Sequence, residues 1–84
     1  MAIDAQLGHP QRFRVREGRG AAVLELFSPV PSWARRRWDA IGEPAEGTGC
    51  LFAYRIARSE IDEERRFARE SLWLEETNDN PRNA

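Results

Sequence analysis

The sequence predicts a small α+β domain in the order β-β-α-β-α: an N-terminal hairpin, a short helix, a central strand and a C-terminal helix. Three observations carry this expectation. Charged and apolar residues alternate on both sides of "GRG" (Gly18 to Gly20). A proline-bounded stretch, "PSWARRRWDAIGEP", follows from Pro31 to Pro44. The apolar run "CLFAY" then gives way to seventeen residues without Gly or Pro, Glu60 to Glu76.

The hairpin rests on register. In "RFRVRE", Phe13 and Val15 fall on one side and Arg12, Arg14 and Arg16 on the other. A two-residue turn at Gly18-Arg19 sets Val15 opposite Ala22, Phe13 opposite Leu24 and Arg12 opposite Glu25. That register sorts apolar from charged, so turn chemistry and patterning agree. Two prolines in "SPVPS" then end the second strand. Ser32 suits a helix N-cap and Gly42 a stop, giving a helix from about Trp33 to Ile41.

On that helix Trp33, Ala34, Trp38 and Ile41 share a broad apolar arc, while Arg35, Arg36 and Asp39 lie opposite. Arg37 falls inside the arc, placed to lay its stem along the Trp33 indole and its guanidinium on the ring. After the loop "EPAEGTG", the strand "CLFAYRIA" puts Cys50, Phe52, Tyr54 and Ile56 on one face and Leu51, Ala53 and Ala57 on the other. Apolar residues on both faces predict a central strand. Ser59 then opens a helix rich in strong helix formers, with Asp62 three residues on as an approximate capping box. A turn at "DEER" with a further strand, "RFARESLWL", is the alternative and would give β-β-α-β-β. The density of Glu and Arg there favours the helix. Residues 1–10 and 77–84 lack periodicity and are expected to be a flexible segment and a disordered tail flanking one domain, 11–76.

Composition narrows the function classes. Every one of the 13 basic residues is arginine, which fits a GC-rich bacterial genome and weakens any argument from a single arginine. The net charge of −1 divides into a basic part, residues 11–40, and an acidic part, residues 41–84. These two parts can attract each other within one domain or between two copies. Cys50 is the lone cysteine, so no internal disulfide forms and a reducing, cytoplasmic setting fits. "MAIDAQLGHP" carries an acid and has no apolar run, unlike a signal peptide, and "CLFAY" is too short to cross a bilayer.

Catalytic and metal chemistry find little support. His9 is the sole histidine and stands beside Pro10. Cys50 begins a buried strand with no cation beside it to lower its pKa. Glu60, Asp62, Glu63 and Glu64 spread around a helix turn and lack the pattern of a calcium loop. The glycines of "GRG" and "GTG" fit neither a P-loop nor a dinucleotide fingerprint. The expectation is a non-enzyme without cofactor or metal.

Two function classes remain. The first is a small protein–protein interaction or regulatory module, with homodimerisation as one form. On a continuous helix Leu72, Trp73 and Leu74 point about 100° apart, too wide an arc for one packing surface. With Ile61, Ala68 and Leu72 facing the sheet, Phe67, Trp73 and Leu74 are left as the predicted interface. The second class is a nucleic-acid-associated accessory protein of phage or plasmid type, using Arg12, Arg14, Arg16, Arg36 and Arg37. It ranks lower, because the chain is slightly acidic and has no clear basic footprint.

Overall fold

Alternation around "GRG" does fold into a hairpin. The computed structural model of the chain describes residues 11–47 and 49–77, so the expectations for residues 1–10 and 78–84 lie outside the described residues. Strands β1 (Arg12–Glu17) and β2 (Ala21–Leu26) pair antiparallel. Phe13 stands opposite Leu26, Val15 opposite Leu24 and Arg14 opposite Glu25. The turn is therefore one residue further on than expected. Gly18 N–H donates to the Ala21 carbonyl at 2.9 Å, leaving Arg19-Gly20 as the two turn residues. Moving a turn by one residue moves each pairing by two, so the faces are unchanged while Arg14, not Arg12, meets Glu25. Gly18 is needed for close approach: a Cβ there would sit 2.9 Å from the Ala21 carbonyl oxygen.

Helix α1 (Ser32–Ile41) starts at the serine rather than after it. Pro31 is its N-cap, and the Pro31 carbonyl accepts from the N–H groups of Ala34 and Arg35 at 3.0 and 3.2 Å. Gly42 closes the helix through a bond from its N–H to the Trp38 carbonyl, and any side chain there would strike the Arg55 carbonyl. The chain thus turns at once into the two-residue strand β3 (Glu43–Pro44), which pairs antiparallel with β4 (Phe52–Ala57).

β4 pairs antiparallel with β2, setting Tyr54 opposite Leu24 and Ile56 opposite Ala22. Helix α2 (Arg58–Glu70) follows directly, with Ala57 as N-cap and no side-chain capping bond. The last element is β5 (Glu75–Glu76), parallel to β1. The five-stranded sheet has the order β3-β4-β2-β1-β5, with β2 in the middle and the "CLFAYRIA" strand, β4, an interior strand paired on both edges as expected. Both helices cover one face of it, where Phe13, Leu24, Leu26, Tyr54 and Ile56 meet Trp38, Ile61 and Ala68. Fold class and element order are those read from the sequence, with a short strand added at each edge.

The main departure is at the end of α2. A helix through Glu76 was expected, but it stops at Glu70 and the chain reverses at Trp73, whose φ is 59°. The reason is burial. On a continuing helix Leu74 would lie well away from the Ile61–Ala68 stripe, whereas the reversal drops it into the core. Leu74 N–H then bonds the Ala68 carbonyl at 3.0 Å, and Glu75 N–H and Thr77 N–H bond the Gln11 and Phe13 carbonyls, each at 2.8 Å. Thr77, expected in the tail, is thereby tied to the sheet.

The two helices are joined by a buried carboxylate. Glu64 accepts from Arg37 through Nε and Nη2 at 2.8 and 2.9 Å, and from the Trp38 indole N–H at 2.9 Å. The Arg37 guanidinium lies 4.2 Å from the centre of the Phe67 ring. Arg37 thus does stack on an aromatic ring inside the apolar arc, but the ring is Phe67 and not Trp33. Trp38 is fully buried, as expected, while Trp33 is not core: half its surface is exposed and its ring meets the Phe67 ring edge-on, 5.9 Å between centres.

Two stability outcomes follow from this packing. Gly18→Val should destabilise the hairpin and lower the thermal midpoint, because its Cβ cannot occupy the space beside Ala21. Arg37→Ala leaves Glu64 buried with the Trp38 N–H alone and should cost about 3 kcal/mol in urea unfolding, the low end for a broken buried pair because Arg37 itself is partly exposed. Unchanged urea midpoints in Arg37→Ala would show that Glu64 is not held as described.

Candidate interaction surface

The arginine stripe lies on the sheet face away from the helices. Arg14 on β1 and Glu25 on β2 stand opposite each other there, and their side chains meet at 2.6 Å. Arg16 reaches the second Glu25 oxygen at 3.4 Å. Glu25 is fully buried although it projects from the uncovered face. The segment after β3 covers it: a Cβ on Gly47 would fall 2.8 Å from a Glu25 oxygen and collide with the Cys50 sulfur. Arg14 also packs over the Phe27 ring at 5.3 Å.

Of the other arginines assigned to nucleic acid, Arg37 is bound to Glu64, and Arg12 and Arg36 are exposed. Arg55, on β4, faces Glu43 at 3.5 Å. The structure therefore brings Arg12, Arg14 and Arg16 onto one face, with β2 between them and the strand bearing Arg55. It places Arg36 and Arg37 on the helix layer behind it. The five do not form one surface.

Among the described residues no group of three or more His, Cys, Asp or Glu side chains is arranged to hold a metal, and His9 lies outside those residues. Burial pushes the Cys50 thiol pKa up, and the Glu25 carboxylate adds to the rise. Tyr54 is also raised, first by burial and then by Asp39, with Arg35 opposing. No described helix is long and apolar enough to cross a membrane.

The three residues predicted as an interface meet different fates. Leu74 is 4% exposed and belongs to the chain's own core. Phe67 is half-buried between Trp33, Trp38 and Arg37. Trp73 is 84% exposed, the most exposed of the large apolar residues among those described. Its backbone is fixed on both sides, by half-buried Leu72 before it and by buried, hydrogen-bonded Leu74 after it. A bulky residue in the left-handed region costs roughly 1–2 kcal/mol. Burial of Leu74 and the pairing of β5 with β1 offset that cost, and the indole is left facing solvent.

Trp33 also offers half an indole. It lies beside Phe67, one turn before α2 ends, so both exposed tryptophans stand at the same end of the helix layer. Sequence reasoning missed Trp33 because its position in the α1 arc looks apolar, and nothing local shows that the arc is wider than the sheet beneath it. Comparison of the chain with protein-family models, with curated proteins and with solved structures found no match.

The thiol environment has a measurable result. Cys50 should react with iodoacetamide at neutral pH more slowly than a free thiol, because the raised pKa leaves less thiolate. Alkylation as fast as that of glutathione would show that neither burial nor Glu25 acts on it.

Proposed function

We propose that this chain is a small non-catalytic protein–protein interaction module, and that Trp73 is its docking residue. The supporting observation is a single one: a tryptophan is held out into solvent on a left-handed backbone, pinned by its two neighbours. Tryptophan is enriched among residues that dominate binding energy, and a pre-ordered anchor loses little freedom on association. The lone thiol suits a reducing cytoplasmic setting. A nucleic-acid role has less support, because Arg14, Arg16 and Arg37 are engaged by buried carboxylates. Their charges are partly neutralised before any phosphate arrives.

Trp73→Gly tests the reading by separating folding from docking. Glycine adopts the left-handed conformation freely, so the variant should be more stable than the wild type by about 1 kcal/mol in urea unfolding. It should also lose at least about tenfold in affinity for whatever the wild-type chain binds, itself included. Full retention of binding by a well-folded Trp73→Gly protein would remove Trp73 from the interface.

A further inference from the structure

The corner between α2 and β5 sets local preference against tertiary contact. Trp73 occupies the left-handed position that follows a helix end, with Leu74 N–H returning to the Ala68 carbonyl at 3.0 Å. Helices usually give that position to glycine. The stretch around it, Glu60 to Glu76, holds no Gly or Pro, and its intrinsic preference is to continue as helix. What holds the reversal is the far side of the corner. Leu74 is buried in the core. The Glu75 and Thr77 N–H groups bond the Gln11 and Phe13 carbonyls, each at 2.8 Å. Glu76 receives Arg65 and Arg69, each at 3.1 Å.

Within one molecule these two demands conflict, but between two molecules they do not. If α2 runs straight on past Ser71, Trp73 leaves the left-handed region and Leu74–Thr77 reach away from their own β1. A second copy offers the same Gln11 and Phe13 carbonyls, the same core site for Leu74 and the same arginine pair for Glu76. Charge complementarity carries over unchanged, because every contact of the exchanged strand is one already made within the monomer. A foreign peptide would have to reproduce the apolar residue and the carboxylate two positions later, whereas a second copy does so by identity. Chain direction agrees as well. β4 and β5 both run in the direction of β1, so α2, which joins them, runs the other way. A straightened chain therefore enters a copy related by a two-fold axis in the correct sense.

We infer that two copies of this chain exchange β5, so that Leu74–Thr77 of each pair with β1 of the other across a hinge at Trp73. This goes beyond the docking role of Trp73, because it concerns the backbone of that residue and not its indole. The closed monomer wins at low concentration, where β5 is tethered beside its own β1. Exchange is favoured at high concentration and during refolding, when strand and edge are both free. A strained hinge invites it, and the left-handed residue is relieved in both chains at once.

Two substitutions separate hinge from indole when each chain is refolded from urea at high concentration and sedimented. Trp73→Gly accepts the left-handed corner, so its dimer should dissociate at least about tenfold more readily than that of the wild type. Trp73→Ala also removes the indole, but it keeps the left-handed penalty and favours helix, so it should associate at least as strongly as the wild type. A disulfide then reads directly where the strand lies. In a Cys50→Ser background, Arg12→Cys and Glu75→Cys stand opposite each other across the β1–β5 pair, both at exposed positions. Neighbouring strands lie about 4.8 Å apart, within the span of a disulfide. Oxidised in the dimer, the pair should join two chains on a non-reducing gel; oxidised in the monomer, it should close within one. A dimer whose disulfides all lie within single chains would overturn the exchange and leave the docking role of Trp73 standing. Equal loss of association in Trp73→Gly and Trp73→Ala would do the same. Wild-type and Trp73→Ala chains that both stay monomeric after refolding would also overturn the exchange. Partner binding kept by both variants would remove the docking role alone.

Discussion

Glu64 is the group on which the helix layer depends. A carboxylate in the interior is tolerable only when its oxygens are satisfied, and both α1 donors that reach it come from adjacent residues, Arg37 and Trp38. Adjacent residues on a helix point about 100° apart, so a single acceptor can serve both only at one rotation and one height of α1 against α2. Apolar contacts alone would permit the two helices to slide. The bidentate bond and the indole bond together select one register, and Phe67 below the guanidinium completes the enclosure. Trp38, the largest fully buried side chain among the described residues, is positioned by the same acceptor.

A second buried carboxylate solves a different problem on the opposite side. The face of the sheet without helices would otherwise present three arginines in a row on β1. Glu25, on the neighbouring strand, draws Arg14 and Arg16 together, and the Ala45–Gly47 segment folds over it. One negative charge under two positive ones lowers the self-repulsion of the stripe and covers part of an open sheet without a further helix.

Much of this architecture was legible because it is periodic. The strict alternation of β1 and β2 survives an error of one residue in the turn, since each pairing moves by two and every side chain stays on its face. Trp38, Ala34, Ile61 and Ala68 were legible through helical spacing. What stayed hidden lacks a period. Nothing in "SLWLEE" announces a left-handed residue, because the reversal at Trp73 is imposed by the burial of Leu74 and the pairing of Glu75 and Glu76 with distant β1. Tertiary gain overrode helix propensity there. Of the expected interface residues Trp73 alone projects fully into solvent.

The parallel pairing of β5 with β1 has a consequence for how the molecule comes together in time. It joins the first described strand to the last, nearly the whole described chain apart. Closure over such a span is the most demanding entropically, and it is worth only a few backbone bonds when made. The hairpin and the β4–α2 unit can form from near neighbours, whereas this edge waits for everything between. The corner at Trp73 is shaped by the same closure. A chain still growing or partly opened holds its indole on ordinary, mobile backbone, and the fixed outward pose belongs to molecules whose two ends have met. The fixed outward pose of the indole is therefore a property of the completed fold.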